Sequence, residues 1–170
     1  MEIEISEGAR RIIKILNLKG FEAYVVGGAV RDCFMKKTPH DFDIATNALP
    51  QDIKKTFPKT VDIGIKHGTV AVMDNNTCYE VTTFRTDGEY LDSRHPSDVQ
   101  FVSDLRSDML RRDFTINALA YNDQSGIIDC VGGVRDIENK IIRCVGDPEK
   151  RFREDALRMM RAVRFSVVLG

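Results

Sequence analysis

The sequence predicts an α+β (α/β mixed) domain, a mixed β-sheet with flanking helices, running at its end into the start of a second, helical region. Three observations carry this. Strand-like apolar runs alternate with helix-like stretches in the order β-α-β-α, followed by a hairpin. The runs 69–73 and 78–84 flank Asp74-Asn75-Asn76, a turn signal. From Pro148 onward the pattern is that of a helix still running near Gly170. The expected boundaries are 1–146 for the mixed domain and 147–170 for the first helix of the region that follows.

Taken in order, Ser6 can cap a helix whose apolar face is Ala9, Ile12, Ile13 and Leu16, with Gly20 to end it. Ala23-Tyr24-Val25-Val26 reads as a buried strand and Ala29–Lys36 as a helix stopped by Thr38-Pro39. His40–Thr46 alternates as a strand does, and Pro50 opens a helix to Phe57. Thr86–Asp98 reads as a polar loop and Val99–Val102 as a short strand. A helical stretch is expected over Leu105–Tyr121. Short strands are expected at 127–129 and 140–145, around a helix at 133–138.

The 42% hydrophobic and 30% charged content is that of an ordinary globular chain. No apolar run approaches the ~20 residues that cross a membrane, and the N-terminus lacks the apolar core of a secretion signal. The net charge of −1 hides a basic segment from Lys150 to Arg164. Such a segment suits phosphate or RNA, and equally a solvated helix face. Cys33, Cys78, Cys130 and Cys144 form no C-x-x-C pair, so zinc is not expected. Each lies in a mostly apolar stretch and reads as a small buried hydrophobe, in keeping with a cytoplasmic location.

The chemistry centres on His40-Asp41-Phe42-Asp43-Ile44. On an extended backbone Asp41 and Asp43 share one face, with Cα atoms roughly 6–7 Å apart, while Phe42 and Ile44 face the core. Two carboxylates that close repel, and a hard divalent cation such as Mg²⁺ relieves the conflict. Alone, the pair could as well be the wet face of an edge strand. Gly27-Gly28, where a strand meets a helix, offers backbone N–H groups to phosphate, and Arg31 lies one turn on; a plain turn needing glycine is the alternative. Neither a P-loop nor a G-x-G-x-x-G fingerprint is present. Glu80 could complete a metal site if its strand neighbours the aspartates, or could be a lone exposed acid.

The segments VVGGAVRD (25–32), DFDIAT (41–46), EVTTFR (80–85), RRDFTINALAY (111–121) and EDALRMMRAVRF (154–165) together resemble the bacterial-type tRNA nucleotidyltransferase (CCA-adding enzyme)/poly(A) polymerase family, within the DNA polymerase β superfamily. The resemblance spans Phe21 to Phe165. It implies a catalytic nucleotidyltransferase head followed by a helical neck, of which residues 147–170 would be the first helix. It implies two Mg²⁺ ions on Asp41, Asp43 and Glu80, with Gly27, Gly28 and Arg31 at the triphosphate. Arg112 and Asp113 would contact the sugar and phosphates of the nucleotide.

In that family Glu154, Asp155 and Arg158 would read the incoming base, with Arg161 and Arg164 supporting them or holding phosphate. On one continuous helix these three would share a face. Cytosine and adenine present an amino donor beside a ring-nitrogen acceptor, which an aspartate acceptor beside an arginine donor matches. Uracil and guanine present the reverse, and buried mismatches are costly. A simple helix salt bridge is the alternative. The expected reaction is transfer of CMP and AMP from CTP and ATP to the tRNA 3′ end. Its alternatives are a poly(A) polymerase, an enzyme adding only CC or only A, or a non-catalytic nucleotide- or RNA-binding module. Residues 87–96 resemble a flexible loop that helps such enzymes switch from C to A.

Overall fold

The computed structural model describes residues 3–88 and 98–169. Helix α1 (Glu7–Leu18) leads into β1 (Ala23–Val26), α2 (Gly28–Phe34), β2 (Ile44–Thr46) and α3 (Pro50–Thr56). Then come β3 (Thr60–Gly64), β4 (Thr69–Asp74), β5 (Thr77–Thr83), β6 (Arg85–Asp87), β7 (Val99–Phe101) and α4 (Leu105–Leu110). The chain ends through β8 (Leu119–Asn122), β9 (Gly126–Asp129), α5 (Gly133–Glu138), α6 (Pro148–Glu154) and α7 (Leu157–Val168). Seven strands form one sheet in the order β3-β4-β5-β2-β1-β8-β9, and β6 and β7 make a separate ribbon. Within the large sheet β2 and β5 run parallel and the other pairs antiparallel. The mixed sheet expected from the sequence is present.

Period-two alternation divides the core between the two faces of this sheet. Val25, Ile44, Val81 and Leu119 join Ile12 and Leu16 of α1 in one cluster. Val26, Ala45 and Ala120 face the other way, against Leu105 and Met109 of α4. The Ser6 hydroxyl accepts from the Ala9 N–H at 3.2 Å and so caps α1 as expected. Asn75 and Asn76 both take positive φ, 45° and 64°, the twist that a two-residue hairpin turn between β4 and β5 requires.

Several expectations are corrected. The helix over 105–121 stops at Leu110, and Leu119–Asn122 becomes β8, hydrogen-bonded between β1 and β9. Leu, Ala and Tyr are adequate helix formers, but burial between two strands overrides that weak preference. Residues 140–145 make only an isolated bridge, Phe114 to Cys144. Edge strand β3 was not foreseen; its Val61 and Ile63 are half exposed, so no buried face marked it. The terminal helix is two helices, because Asp155 is extended (φ −143°, ψ 105°). Among the cysteines only Cys144 is buried; Cys78 is exposed and Cys33 and Cys130 are intermediate. No described helix is long and apolar enough to cross a membrane.

Candidate active site

The two aspartates lie just before β2 rather than within it. The extended path still holds there, because the Asp43 carbonyl accepts from the Val26 N–H at 3.0 Å. Phe42 packs against the core and Ile44 is fully buried, while Asp41 and Asp43 are exposed. Both line a cleft of about 1000 Å³ whose walls include Gly27, Gly28, Arg31, Arg112, Asp113, Asn117, Asp155, Arg158, Arg161 and Arg164. One cleft thus collects most of the residues singled out from the sequence.

The Asp43 carboxyl is pushed up to about 6. Crowding by surrounding protein is the largest cause, followed by the charges of Asp41 and Glu80; Arg112 opposes them. The residue nonetheless stays exposed and lines the cleft, so the crowding is partial. Parallel pairing of Ile44 with Val81 puts Glu80 beside Asp43 on the neighbouring strand. Glu80 is exposed and is not among the cleft-lining residues. No three His, Cys, Asp or Glu side chains among the described residues close into a ready-made ion cage. The floor is therefore a carboxylate pair with a third acid at its side, a hard-oxygen set of the kind Mg²⁺ prefers.

The diglycine turn adopts a backbone that only glycine takes readily, with Gly27 at φ 74°, ψ −134°. A Cβ there would lie 3.1 Å from Nη1 of Arg112, so the guanidinium rests directly on the turn. Arg112 donates through Nη2 to Oδ2 of Asp108 at 3.0 Å, and Arg111 donates through Nε to Oδ1 at 2.9 Å. Asp108 is 1% exposed, and Oδ1 also accepts the Arg85 backbone N–H at 3.2 Å. Burial would raise its carboxyl, but the charges of Arg112 and Arg111 and their hydrogen bonds outweigh burial and hold it below the usual carboxylate range.

Arg31 is buried rather than free to extend. It donates to Asp32 Oδ1 at 2.8 Å and to Asn117 Oδ1 at 2.5 Å. The Asn117 amide then donates to Asp113 Oδ1 at 3.2 Å, while Asp113 Oδ2 receives Arg161 Nε at 2.7 Å. Arg31, Arg161 and Arg164 each set a guanidinium 5.2–5.4 Å from the centre of the Phe165 ring. Phe165 in turn meets Phe114 edge-on at 5.8 Å. Asp108, Asn117 and Phe165 had been assigned no role from the sequence. For Asp108 a signal existed: an acid three and four places before an arginine pair on a helix.

The base-reading trio is arranged differently from the single helical face expected. Glu154 binds Arg158 at 2.7 Å and Arg151 at 3.0 Å, and it faces a neighbouring cavity with Lys150 and Arg153, not the cleft. Burial would raise the Glu154 carboxyl, but those two arginines outweigh it and lower it. Arg158 is 5% exposed and also donates to the Arg151 carbonyl at 2.9 Å. Asp155 Oδ1 accepts the Leu157 N–H at 2.9 Å, a hydrogen bond to the first residue of α7 across the break. Asp155 and Arg158 both reach the cleft, from either side of that break. Of the loop 87–96, all but Asp87 and Gly88 lies outside the described residues.

Comparison with known proteins identifies the family. Residues 23–143 match the model of the poly A polymerase head domain. A CCA-adding enzyme of Geobacillus thermodenitrificans is 57% identical over 159 residues, covering 94% of this chain and 39% of the relative. A crystal structure of the Bacillus stearothermophilus CCA-adding enzyme in complex with CTP superposes with a TM-score of 0.85 at 53% identity, covering 94% of this chain and 38% of that one. The Thermotoga maritima CCA-adding enzyme complexed with tRNA superposes with a TM-score of 0.74 at 26% identity, over 97% and 41% of the two chains. The chain spans about two fifths of the length of the relatives it matches. It belongs to the poly A polymerase head domain family.

Proposed function

We propose that this chain is the nucleotidyltransferase head of an enzyme that adds CMP and AMP from CTP and ATP to the 3′ end of tRNA, with residues 147–170 opening its helical neck. The observation that carries this is the cleft itself: a carboxylate pair faces a wall of arginines across a diglycine turn. Such a cleft complements a triphosphate with its divalent ions. The bound CTP and tRNA of its structural relatives support the same substrates here.

Asp41 and Asp43, with Glu80 beside them, would hold two Mg²⁺ ions. The raised Asp43 carboxyl fits this, since a pair that resists full ionisation gains from a cation. Bound there, the ions would supply charge for activating the primer 3′-hydroxyl and stabilising the leaving pyrophosphate. The protein's own part is positioning. Gly27 and Gly28 let the backbone approach phosphate closely. Arg112 lies against Gly27 and lines the cleft, and Asp113, held by Asn117 and Arg161, would accept from a ribose hydroxyl.

Asp155 and Arg158 would read the base as an acceptor and donor pair, with Glu154 fixing the Arg158 guanidinium from behind. The cytoplasm, where tRNA is matured, is the location this activity implies. A chain carrying this head at the length of its relatives should restore CCA to tRNA lacking those three nucleotides. It should add one A to tRNA lacking only the last, and leave unstructured RNA unextended. Repeated adenylation of unstructured RNA would favour a poly(A) polymerase. No Mg²⁺-dependent pyrophosphate release, or release unchanged in Asp41→Ala and Asp43→Ala, would reduce the head to a nucleotide-binding module.

A further inference from the structure

We propose that Asp108 is a positioning residue for the nucleotide, a buried anchor that holds the Arg112 guanidinium across the diglycine turn and away from the acidic floor of the cleft. This rests on the nucleotide site described above and adds a residue to it.

Arg112 and Asp43 line the same cleft, and their opposite charges interact. An arginine within reach of an ionised carboxylate pair is drawn to pair with it, which would neutralise the site where cations should bind. In this structure Arg112 is turned to a different acid. Its Nη2 donates to Asp108 Oδ2 at 3.0 Å, four residues back along the chain. Its Nη1 would lie 3.1 Å from a Cβ on Gly27, and Arg112 lines the cleft beside that turn. Its Nε is buried without a hydrogen-bond partner, so Asp108 is the hydrogen-bonding acid that fixes the fork.

Asp108 itself cannot drift. Its side chain is 1% exposed, and its other oxygen is held by Arg111 and by the Arg85 N–H, tying it to the start of β6. A carboxylate so enclosed stays ionised because two guanidiniums face it. It never meets substrate. It acts by holding Nη2 of Arg112 on a buried acid, which keeps that nitrogen from pairing with Asp43 while Arg112 still lines the cleft.

The test is a double-mutant cycle on CTP affinity, measured by calorimetry on this chain at low and at high Mg²⁺, with Asp108→Asn, Arg112→Gln and the double variant. Binding of CTP by the parent is measured first. If the parent does not bind, the nucleotide site itself is wrong, which is a separate failure from that of the anchor. Given binding, Asp108→Asn should weaken it about tenfold at low Mg²⁺ and less at high Mg²⁺, as ions compete Arg112 off the floor. In the Arg112→Gln background the same change should alter affinity less than twofold. Losses that simply multiply, a loss indifferent to Mg²⁺, or no loss at all would each overturn the proposal. A purely structural Asp108 would lower the thermal midpoint without this coupling. Should Asp108→Asn not fold, Asp108→Glu keeps the charge but displaces it, and the same cycle applies: weaker CTP binding only when Arg112 is present supports the anchor, and equal binding overturns it.

Discussion

Phe165 offers the sharpest quantitative prediction, because three cations and an aromatic ring converge on one side chain. Phe165→Leu keeps an apolar group at a position only 3% exposed but removes the ring. Lost with it is the edge-on contact to Phe114, worth about 0.5–1.5 kcal/mol. Lost too are the approaches of Arg161 and Arg164, each worth about 0.5–1 kcal/mol where water still reaches the cation, and that of the buried Arg31, whose charge is already paired with Asp32. Three like charges on one ring repel and cannot all act at full strength, so the leucine variant should lose about 1.5–3 kcal/mol in total. Phe165→Ala adds a cavity and should lose about 3–5 kcal/mol. Urea unfolding of the three proteins at one pH and salt concentration measures this directly, provided the denaturant slope is unchanged. Mg²⁺-dependent CTP affinity should fall in the leucine variant as well, since Arg31 and Arg161 lose the surface they rest on. A leucine variant within about 0.5 kcal/mol of the parent, or one as unstable as the alanine variant, would refute the idea that the ring organises the basic wall.

Other changes have defined outcomes. Asp136 is buried, accepting from Thr115 at 2.6 Å and Arg143 at 3.0 Å; burial would raise it, but these bonds hold it below the usual range. Its folded-state carboxyl is thus depressed, so its contribution is complete above about pH 4 and is lost as pH falls through the lower folded value. Asp136→Asn should flatten the acid limb of a plot of unfolding free energy against pH, and an unchanged limb would count against the assignment. Asp43 has the opposite sign: raised to about 6, it makes the metal-free fold less stable as pH rises from about 4 through 6. Asp43→Asn should therefore raise the metal-free thermal midpoint at pH 8 while removing Mg²⁺-dependent CTP binding; a lowered midpoint would contradict this. Gly27→Ala forces a side chain onto a positive φ and against Arg112, and should lose about 1–3 kcal/mol together with CTP affinity. Unchanged chemical denaturation would show that the turn has no such constraint.

What the sequence made legible was local. Alternation at 41–44 and the glycine pair at 27–28 depend on neighbouring residues only: the glycines sit at the strand–helix junction as expected, and Phe42 and Ile44 face the core although the aspartates precede β2. The hairpin at Asn75-Asn76 needed no more than turn chemistry. What escaped was set by distant partners. Leu119–Asn122 carries no strand composition of its own and is a strand because β1 lies beside it with unpaired backbone groups. The break at Asp155 escaped because the surrounding composition is helical; the extended backbone there and the hydrogen bond from Leu157 N–H mark it. Asn117 bonds to Arg31, 86 residues away, so its role became visible only with the fold; Asp108 pairs with Arg111 and Arg112 at helical spacing, and only its tie to the Arg85 N–H needed the fold. The five segments that suggested the family were informative because their chemistry meets in one place, which no single segment reveals.

The measurement closest to the central claim is a titration of this chain with CTP, ATP, UTP and GTP, each with and without Mg²⁺, repeated on Asp41→Ala/Asp43→Ala. The account predicts that CTP and ATP bind only with the ion, that UTP and GTP bind at least tenfold more weakly, and that the double variant loses the ion dependence. Equal binding of all four nucleotides by parent and variant, with or without Mg²⁺, would contradict it.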